Sequence, residues 1–157
     1  MASSKTNACR ILDAAHITYT VVEYNVNEDE LDAITVAHSI GIDPQKVFKT
    51  LVLQGNVLPY FVVIVQSTKE LDLKSIAFQS GNKSCSLLPQ KQLLHVTGYI
   101  RGGCSPIGMK KKFPTYIDSD AFNYEQISIS PGVRGQQIIL SPKEVATITQ
   151  AIRIHCE

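Results

Sequence analysis

Tryptophan is absent from the 157-residue chain, and aromatic residues make up only 7% of it. Long apolar runs are also missing. The longest lies near residues 62–65, far short of the ~20 residues that a membrane-spanning helix requires. The N-terminal residues 1–5 lead into no apolar segment of the kind that marks a secreted protein. We therefore expect a cytoplasmic protein with no membrane partner.

Neither sign of charge is in excess, since 15 lysine and arginine residues oppose 14 aspartate and glutamate residues. Proteins that bind long nucleic acids through their phosphates usually carry a basic excess, so this balance disfavours a DNA-binding protein. The four histidines are scattered, and the four cysteines form no C-x-x-C pair: Cys9, Cys85, Cys104 and Cys156. This spacing predicts neither a metal site nor a disulfide framework, and we expect no cofactor.

The patterning that is present predicts one mixed α/β domain over residues 1–157. Hydrophobic residues make up 44% of the chain and charged residues 18%, and no repeat or linker divides it. Apolar spacing predicts helices over residues 6–15, 31–40, 73–79, 89–95 and after Ser141. Short β-branched and apolar runs predict strands over residues 18–24, 47–53, 58–65, 84–87, 114–118, 126–130 and 137–140. Gly55-Asn56 predicts a central hairpin.

Two of the predicted helices carry faces that we expect to be buried. The first helix follows the acidic residues 28–30 and ends at Gly41, and its apolar residues recur every three positions: Leu31, Ile34, Ala37 and Ile40. The second begins with a serine cap and a proline at Ser141-Pro142, and its predicted core residues follow: Val145, Ile148 and Ile152.

Lys49 interrupts the apolar run over residues 47–53. Side chains alternate along a strand, so Lys49 shares a face with Leu51. One interpretation places the lysine at a sheet edge, where its stem covers apolar surface. The other directs it into a cavity, where its ammonium group would hold an anionic or carbonyl group. The residues alone leave both interpretations open.

A glycine-rich loop over residues 98–108 contains the adjacent pair Gly102-Gly103. Such a pair lets backbone N–H groups approach a ligand closely and bind an anion. It equally fits a tight turn that requires positive φ. Cys104 is a candidate nucleophile, but no histidine is near it in sequence to serve as a base, so we favour a packing role.

Basic and polar residues follow this loop. Lys110-Lys111-Lys112 fits either a solvated face or a phosphate contact. Ser130 and Arg134 lie in a turn between two predicted strands. Such residues often stabilise the turn itself, but Arg134 is also a candidate to bind a substrate if the turn lines a pocket.

Three segments matter through their joint order and spacing: VFKTL at residues 47–51, GYIRGGCSPIGMKK at 98–111 and ISPGVRG at 129–135. The segments LDLK at 71–74 and PTYID at 114–118 fit the same order. Together they resemble the YbaK/EbsC family of aminoacyl-tRNA deacylases, and the likeness runs over nearly the whole chain.

The resemblance implies a curled mixed β-sheet flanked by helices, with a central pocket. It implies a trans-editing enzyme that removes cysteine mischarged on proline tRNA, binding the 3′ acceptor end, with prolyl-tRNA synthetase as a partner. The key lysine would be Lys49, and Gly102 and Gly103 would approach the aminoacyl ester. Other residues would line the pocket: Tyr24, Thr50, Tyr99 and Ser130. The substrate's own thiol would assist cleavage, with no protein nucleophile, metal or cofactor.

Two alternative functions remain open at this point. One is a deacylase for another small amino acid, such as alanine, and the other is a non-catalytic module that binds a nucleotide or an acceptor stem. The chain also departs from the family at Gln137, where cysteine-specific members often carry an acidic residue. An aromatic residue often found in the segment after Tyr24 is missing from residues 25–33.

Overall fold

The computed structural model describes residues 5–156 of the chain, which contain eight β-strands and five α-helices. Residues 1–4, considered above as part of a possible leader, and residue 157 lie outside this range. The helices are α1 (Asn7–Ala14), α2 (Ala33–Ile40), α3 (Leu73–Gln79), α4 (Leu93–Thr97) and α5 (Pro142–Thr149). The strands are β1 (Thr20–Glu23), β2 (Phe48–Gly55), β3 (Phe61–Gln66), β4 (Cys85–Leu87), β5 (Thr115–Asp118), β6 (Ile127–Ile129), β7 (Gln136–Leu140) and β8 (Ile152–Ile154). The predicted mixed α/β class is confirmed. Within residues 5–156, no helix has the length and apolar character needed to cross a membrane.

The strands form two sheets. One is antiparallel with the order β1-β7-β6, and the other is mixed with the order β4-β2-β3-β5-β8. The predicted hairpin is confirmed, since β2 and β3 pair in antiparallel fashion with Lys49 opposite Val65. A parallel β-bridge between Val47 and Ser128 joins the two sheets. The curled sheet that the resemblance implies is therefore built from two sheets that meet beside β2.

Capping side chains fix the starts of several helices. Ser141 accepts a hydrogen bond from the Lys143 N–H at the start of α5, as its position in the sequence predicts. Helix α2 begins later than the acidic run 28–30 indicates, because Asp32 accepts hydrogen bonds from both the N–H and the hydroxyl of Thr35. The helix ends as predicted at Gly41, which has φ +74°.

The two predicted helix faces are partly wrong. Ala37 is buried as predicted, but Ile34 is 48% exposed, and α2 turns Val36 inward in its place. Ile152 does not belong to α5, since the helix ends in Gln150, which adopts a left-handed conformation with φ 55°. Ile152 instead starts β8, which pairs in parallel with β5, and it is 60% exposed. The hydrogen-bonding partner that β5 offers at the sheet edge makes this segment a strand, and apolar spacing in the sequence does not reveal that partner.

Thr50 separates two hydrophobic clusters on one face of β2. Phe48 belongs to the core cluster that both sheets share, together with Leu12 of α1 and Val145 of α5. Val52 belongs to a separate cluster with Leu88. Thr50 lies between Phe48 and Val52 on the same face and belongs to neither cluster. The candidate site lies beside this stretch of β2.

Candidate active site

An unpaired stretch of β2 forms the floor of the site. Strand β4 pairs with β2 over Leu53–Gly55, the Val52 carbonyl accepts a hydrogen bond from the Leu88 N–H, and the bridge to β6 is at Val47. Between these points, no strand within residues 5–156 pairs with this edge of β2. Along an antiparallel strand, the backbone N–H and C=O groups of successive residues point alternately to the two edges. Those of Thr50 therefore point to the same edge as those of Val52, into the unpaired gap between β4 and β6.

A pocket of about 490 Å³ opens over this stretch. Its walls come from β2, the start of α2, the segment from β4 to α4, the glycine-rich loop and the β6–β7 turn. The charged side chains that line it are Lys49, Arg101 and Asp32. The hydrogen bond from the Thr35 backbone N–H lowers the pKa of the Asp32 carboxyl, and the hydrogen bond from the Thr35 hydroxyl lowers this pKa further. The volume lies within the range typical of small-ligand sites.

Lys49 lies in the pocket wall and is half-buried. Its side chain makes no hydrogen bond or ion pair with any other residue in the described part of the chain. The position corresponds to the cavity interpretation rather than to a bare sheet edge. An ammonium group without a protein partner, held beside apolar walls, can bind a negatively charged or strongly polar atom of a ligand.

Three predicted site residues that carry hydroxyl groups line the same pocket: Tyr24, Thr50 and Ser130. Ser130 Oγ accepts a hydrogen bond from the Gly132 N–H at 3.1 Å. Thr50 Oγ1 is buried and has no hydrogen-bond partner within residues 5–156. A buried hydroxyl without a partner is unfavourable.

Gly102 and Gly103 have different surroundings. Gly102 lines the pocket with φ +82°, and its N–H forms no backbone hydrogen bond within the described residues. Gly103 does not line the pocket, and its N–H already donates to the Ile100 carbonyl at 2.9 Å. A Cβ on Gly103 would lie 3.1 Å from the Arg134 backbone nitrogen. Gly103 therefore allows two loops to approach, while Gly102 lies in the pocket wall with an N–H group that no described backbone carbonyl accepts.

Tyr99 and Arg134 lie beside the pocket rather than in its wall. The Tyr99 hydroxyl donates to the Ile107 carbonyl at 2.6 Å, and burial raises the pKa of this phenol. Arg134 Nε donates to the Arg101 carbonyl at 2.8 Å. Both side chains thus hold the glycine-rich loop in place. The structure brings together five of the eight predicted site residues around one pocket: Tyr24, Lys49, Thr50, Gly102 and Ser130.

Other wall residues escape sequence reasoning. Ile34 of α2 and Leu87 of β4 line the pocket and are 48% and 51% exposed. Their apolar character indicates burial in a core, and only the fold shows that they surround an opening. Gln137 also lines the pocket, and its Oε1 accepts a hydrogen bond from the buried Ser128 hydroxyl at 2.8 Å. Its amide nitrogen is therefore the group left for a ligand.

Cys104 lines the pocket, and burial raises its pKa to about 12. At neutral pH the thiol is therefore protonated and a poor nucleophile. No histidine is among the described residues of the pocket wall, and no group of three or more His, Cys, Asp or Glu within residues 5–156 is placed to hold a metal ion.

Cys104→Ala is expected to leave the deacylation that the family resemblance implies within about threefold of the parent, because the change removes no ionised group from the site. Steady-state kinetics on a mischarged tRNA measures this. A large loss of activity, together with an acyl-enzyme trapped on the parent thiol, would instead make Cys104 the nucleophile.

Comparison with known proteins identifies the family. Residues 27–148 match the family model described as "Aminoacyl-tRNA editing domain". The chain belongs to this family. The editing domain is also 47% identical over 145 residues to "Putative Cys-tRNA(Pro)/Cys-tRNA(Cys) deacylase EbsC" of Enterococcus faecalis (strain ATCC 700802 / V583), covering 92% of this chain and 88% of the relative. The resemblance drawn from the sequence motifs is confirmed.

Two further comparisons extend over most of the editing domain. It is 27% identical over 134 residues to "Uncharacterized protein YwhH" of Bacillus subtilis (strain 168), covering 83% of this chain and 85% of the relative. A solved structure described as "Crystal structure of a putative trans-editing enzyme for prolyl tRNA synthetase" superposes with a TM-score of 0.81. That match has 22% sequence identity and covers 98% of this chain and 99% of the other, so it shows a shared fold.

Proposed function

We propose that this editing domain removes cysteine from mischarged tRNA(Pro), acting in trans in the cytoplasm on the 3′ acceptor end. The 47% identity to a protein named as a Cys-tRNA deacylase supports the amino acid and the tRNA. The observation that carries the proposal is the composition of one pocket wall. Lys49, whose side chain has no partner among residues 5–156, and Gly102, whose N–H group has no acceptor among them, line the same cavity.

These groups suit the stabilisation of negative charge. When an ester carbonyl is attacked, its oxygen becomes an oxyanion, and preorganised donors in a site that excludes water lower the barrier. Lys49 and Gly102 supply a positive charge and a backbone donor, and the Thr50 backbone N–H at the unpaired edge is a further donor. Lys49 thus orients the ester or its ribose electrostatically, and no cofactor takes part.

The attacking group in this proposal belongs to the substrate. The cysteine sulfur attacks its own carbonyl carbon, the bond from that carbon to the ribose oxygen breaks, and the thiol proton passes to the ribose oxygen. The products are a strained thiolactone, which water then hydrolyses, and tRNA with a free terminal hydroxyl. Holding thiol and carbonyl together supplies much of the rate. The protonated Cys104 and the lack of a histidine in the described pocket wall support this route over a protein nucleophile.

The near-neutral charge of the chain is consistent with this function. The formal net charge is +1, so the domain has no general basic excess with which to hold a whole tRNA. Only the acceptor end has to enter the pocket. We propose that prolyl-tRNA synthetase provides the remaining affinity for the tRNA body by presenting the mischarged product.

The substrate thiol leads to a selectivity prediction. Cysteinyl-tRNA(Pro) is expected to be cleaved more than about a hundredfold faster than seryl- or alanyl-tRNA(Pro), which exceeds what pocket shape alone achieves for near-isosteric side chains. The hydroxyl of serine is a much weaker nucleophile than a thiolate. The ratio should therefore widen as the pH rises toward the thiol pKa of about 8.5. Deacylation of a panel of misacylated tRNAs across this pH range measures both effects.

Equal rates on cysteinyl- and alanyl-tRNA would contradict the mechanism, because alanine has no side-chain nucleophile. That result would assign the domain to small amino acids in general. Binding of the tRNA without turnover of any substrate would make it a non-catalytic acceptor-stem module.

A further inference from the structure

A second cavity, of about 670 Å³, adjoins the active-site pocket and has no part in the proposed mechanism. Six side chains line it: Glu23, Tyr24, Asn25, Ser39, Arg134 and Gln136. Tyr24 also lines the first pocket, so the two cavities share a wall. A ligand whose reactive end occupies the first pocket can therefore continue past Tyr24 into the second.

Arg134 connects this cavity to the glycine-rich loop. Its Nε donates to the Arg101 carbonyl at 2.8 Å, and a Cβ on Gly102 would lie 3.4 Å from the same nitrogen. The two terminal nitrogens of the guanidinium make no hydrogen bond or ion pair within residues 5–156. They are available to a phosphate oxygen, which arginine binds in bidentate geometry.

The other residues that line the second cavity are better suited to bind a nucleobase, through hydrogen bonds, than to bind a free anion. Glu23 balances the charge of Arg134, so the cavity as a whole has no excess positive charge. Asn25 and Gln136 add amide groups, each with donors and an acceptor, and Ser39 adds a hydroxyl. Amide side chains of this kind read the edges of nucleobases, and unstacked bases of single-stranded RNA ends stack on aromatic rings such as that of Tyr24.

We infer that this second cavity binds the nucleotide that precedes the terminal adenosine of the acceptor end. This inference rests on the proposed function, which places the aminoacyl adenosine in the first pocket. Arg134 contacts the phosphodiester that joins the two nucleotides, and Asn25 and Gln136 contact the edge of the preceding base. Because tRNAs share the CCA end, that base is cytosine.

The test compares two substrates of different length. One is a cysteinyl RNA minihelix ending in CCA, and the other is the cysteinyl ester of adenosine alone. The readout is the ratio of kcat/KM on the minihelix to kcat/KM on the adenosine ester. In Asn25→Ala/Gln136→Ala this ratio is expected to fall about tenfold or more, mainly through KM on the minihelix. The control Asn123→Ala/Gln126→Ala removes the same two amides at exposed positions and should keep the parent ratio.

An unchanged ratio in Asn25→Ala/Gln136→Ala would overturn the inference and leave the proposed function intact. Cleavage of neither substrate by the parent would instead overturn the proposed function. In that case, equilibrium binding of uncharged minihelices ending in CCA and in an abasic analogue decides the inference, since equal affinities contradict it. Asn25→Ala alone, at an exposed position, serves as a second variant if the double variant fails to fold, and an unchanged ratio in it likewise contradicts the inference.

Discussion

Lys49→Met is expected to lower kcat/KM on cysteinyl-tRNA(Pro) by about 10²–10³-fold, the loss typical of removing one group that stabilises a developing oxyanion. Methionine keeps the apolar stem and removes the charge. Because the Lys49 side chain makes no hydrogen bond or ion pair with another described residue, the melting temperature should stay within a few degrees of the parent. Lys49→Ala should give the same loss of activity. Single-turnover kinetics and thermal unfolding measure the two effects separately.

Lys46→Ala provides the matched control for Lys49. Lys46 lies three residues earlier and is exposed, and it does not line the pocket, so removing its charge should leave turnover unchanged. Unaltered turnover in Lys49→Met would remove the residue from the mechanism. Collapse of the fold in both Lys49 variants would assign it a structural role instead.

Gly102→Val is expected to reduce deacylation by about 10²-fold or more, since small misplacements of catalytic groups have effects of that size. A β-branched residue is disfavoured at φ +82°, and its Cβ would lie 3.4 Å from both Arg134 and Leu31. The loop must therefore shift, and the Gly102 N–H shifts with it. Helix content measured by circular dichroism should change little, because no helix contains the residue.

Gly81→Val separates backbone strain from an effect on the site. Gly81 has φ +78°, and a Cβ there would meet nothing within 4 Å. The substitution should cost about 1–2 kcal/mol of stability, as expected for one residue in the left-handed region, and leave turnover near the parent value. Retained activity in Gly102→Val would contradict the close approach of this backbone to the substrate.

Local signals in the sequence predict most of the helices and strands. The cap at Ser141, the hairpin between β2 and β3, and the helix over 73–79 all appear in the structure where their residues indicate. The errors in the predicted helices and strands arise where tertiary contacts determine the local structure. Ile152 fits the helical spacing of α5, but pairing with β5 draws its segment into the sheet. A local pattern contains no information on which edge strand is available.

The site is predicted less completely, for a related reason. The motifs of β2 and the glycine-rich loop identify Lys49 and Gly102 through family resemblance, and both line the pocket. Ile34 and Leu87 carry no such motif, and their apolar side chains are typical of a core. Only the arrangement of α2 and β4 around the gap in the sheet turns them into pocket walls. Gly103 is the opposite case: the family motif predicts it as a site residue, but it does not line the pocket and its close contacts are with a neighbouring loop.

The floor of the pocket is made of peptide groups rather than side chains, because Thr50 directs its backbone N–H and C=O into the gap between β4 and β6. Substituting Thr50 leaves both groups in place, except that proline would remove the N–H. Side chains of the wall, such as those of Gln137 and Leu87, are replaced outright when these residues are substituted. In the proposed function, substitutions of single wall residues can therefore change which aminoacyl ester is selected, while the peptide groups beneath the ester stay in place.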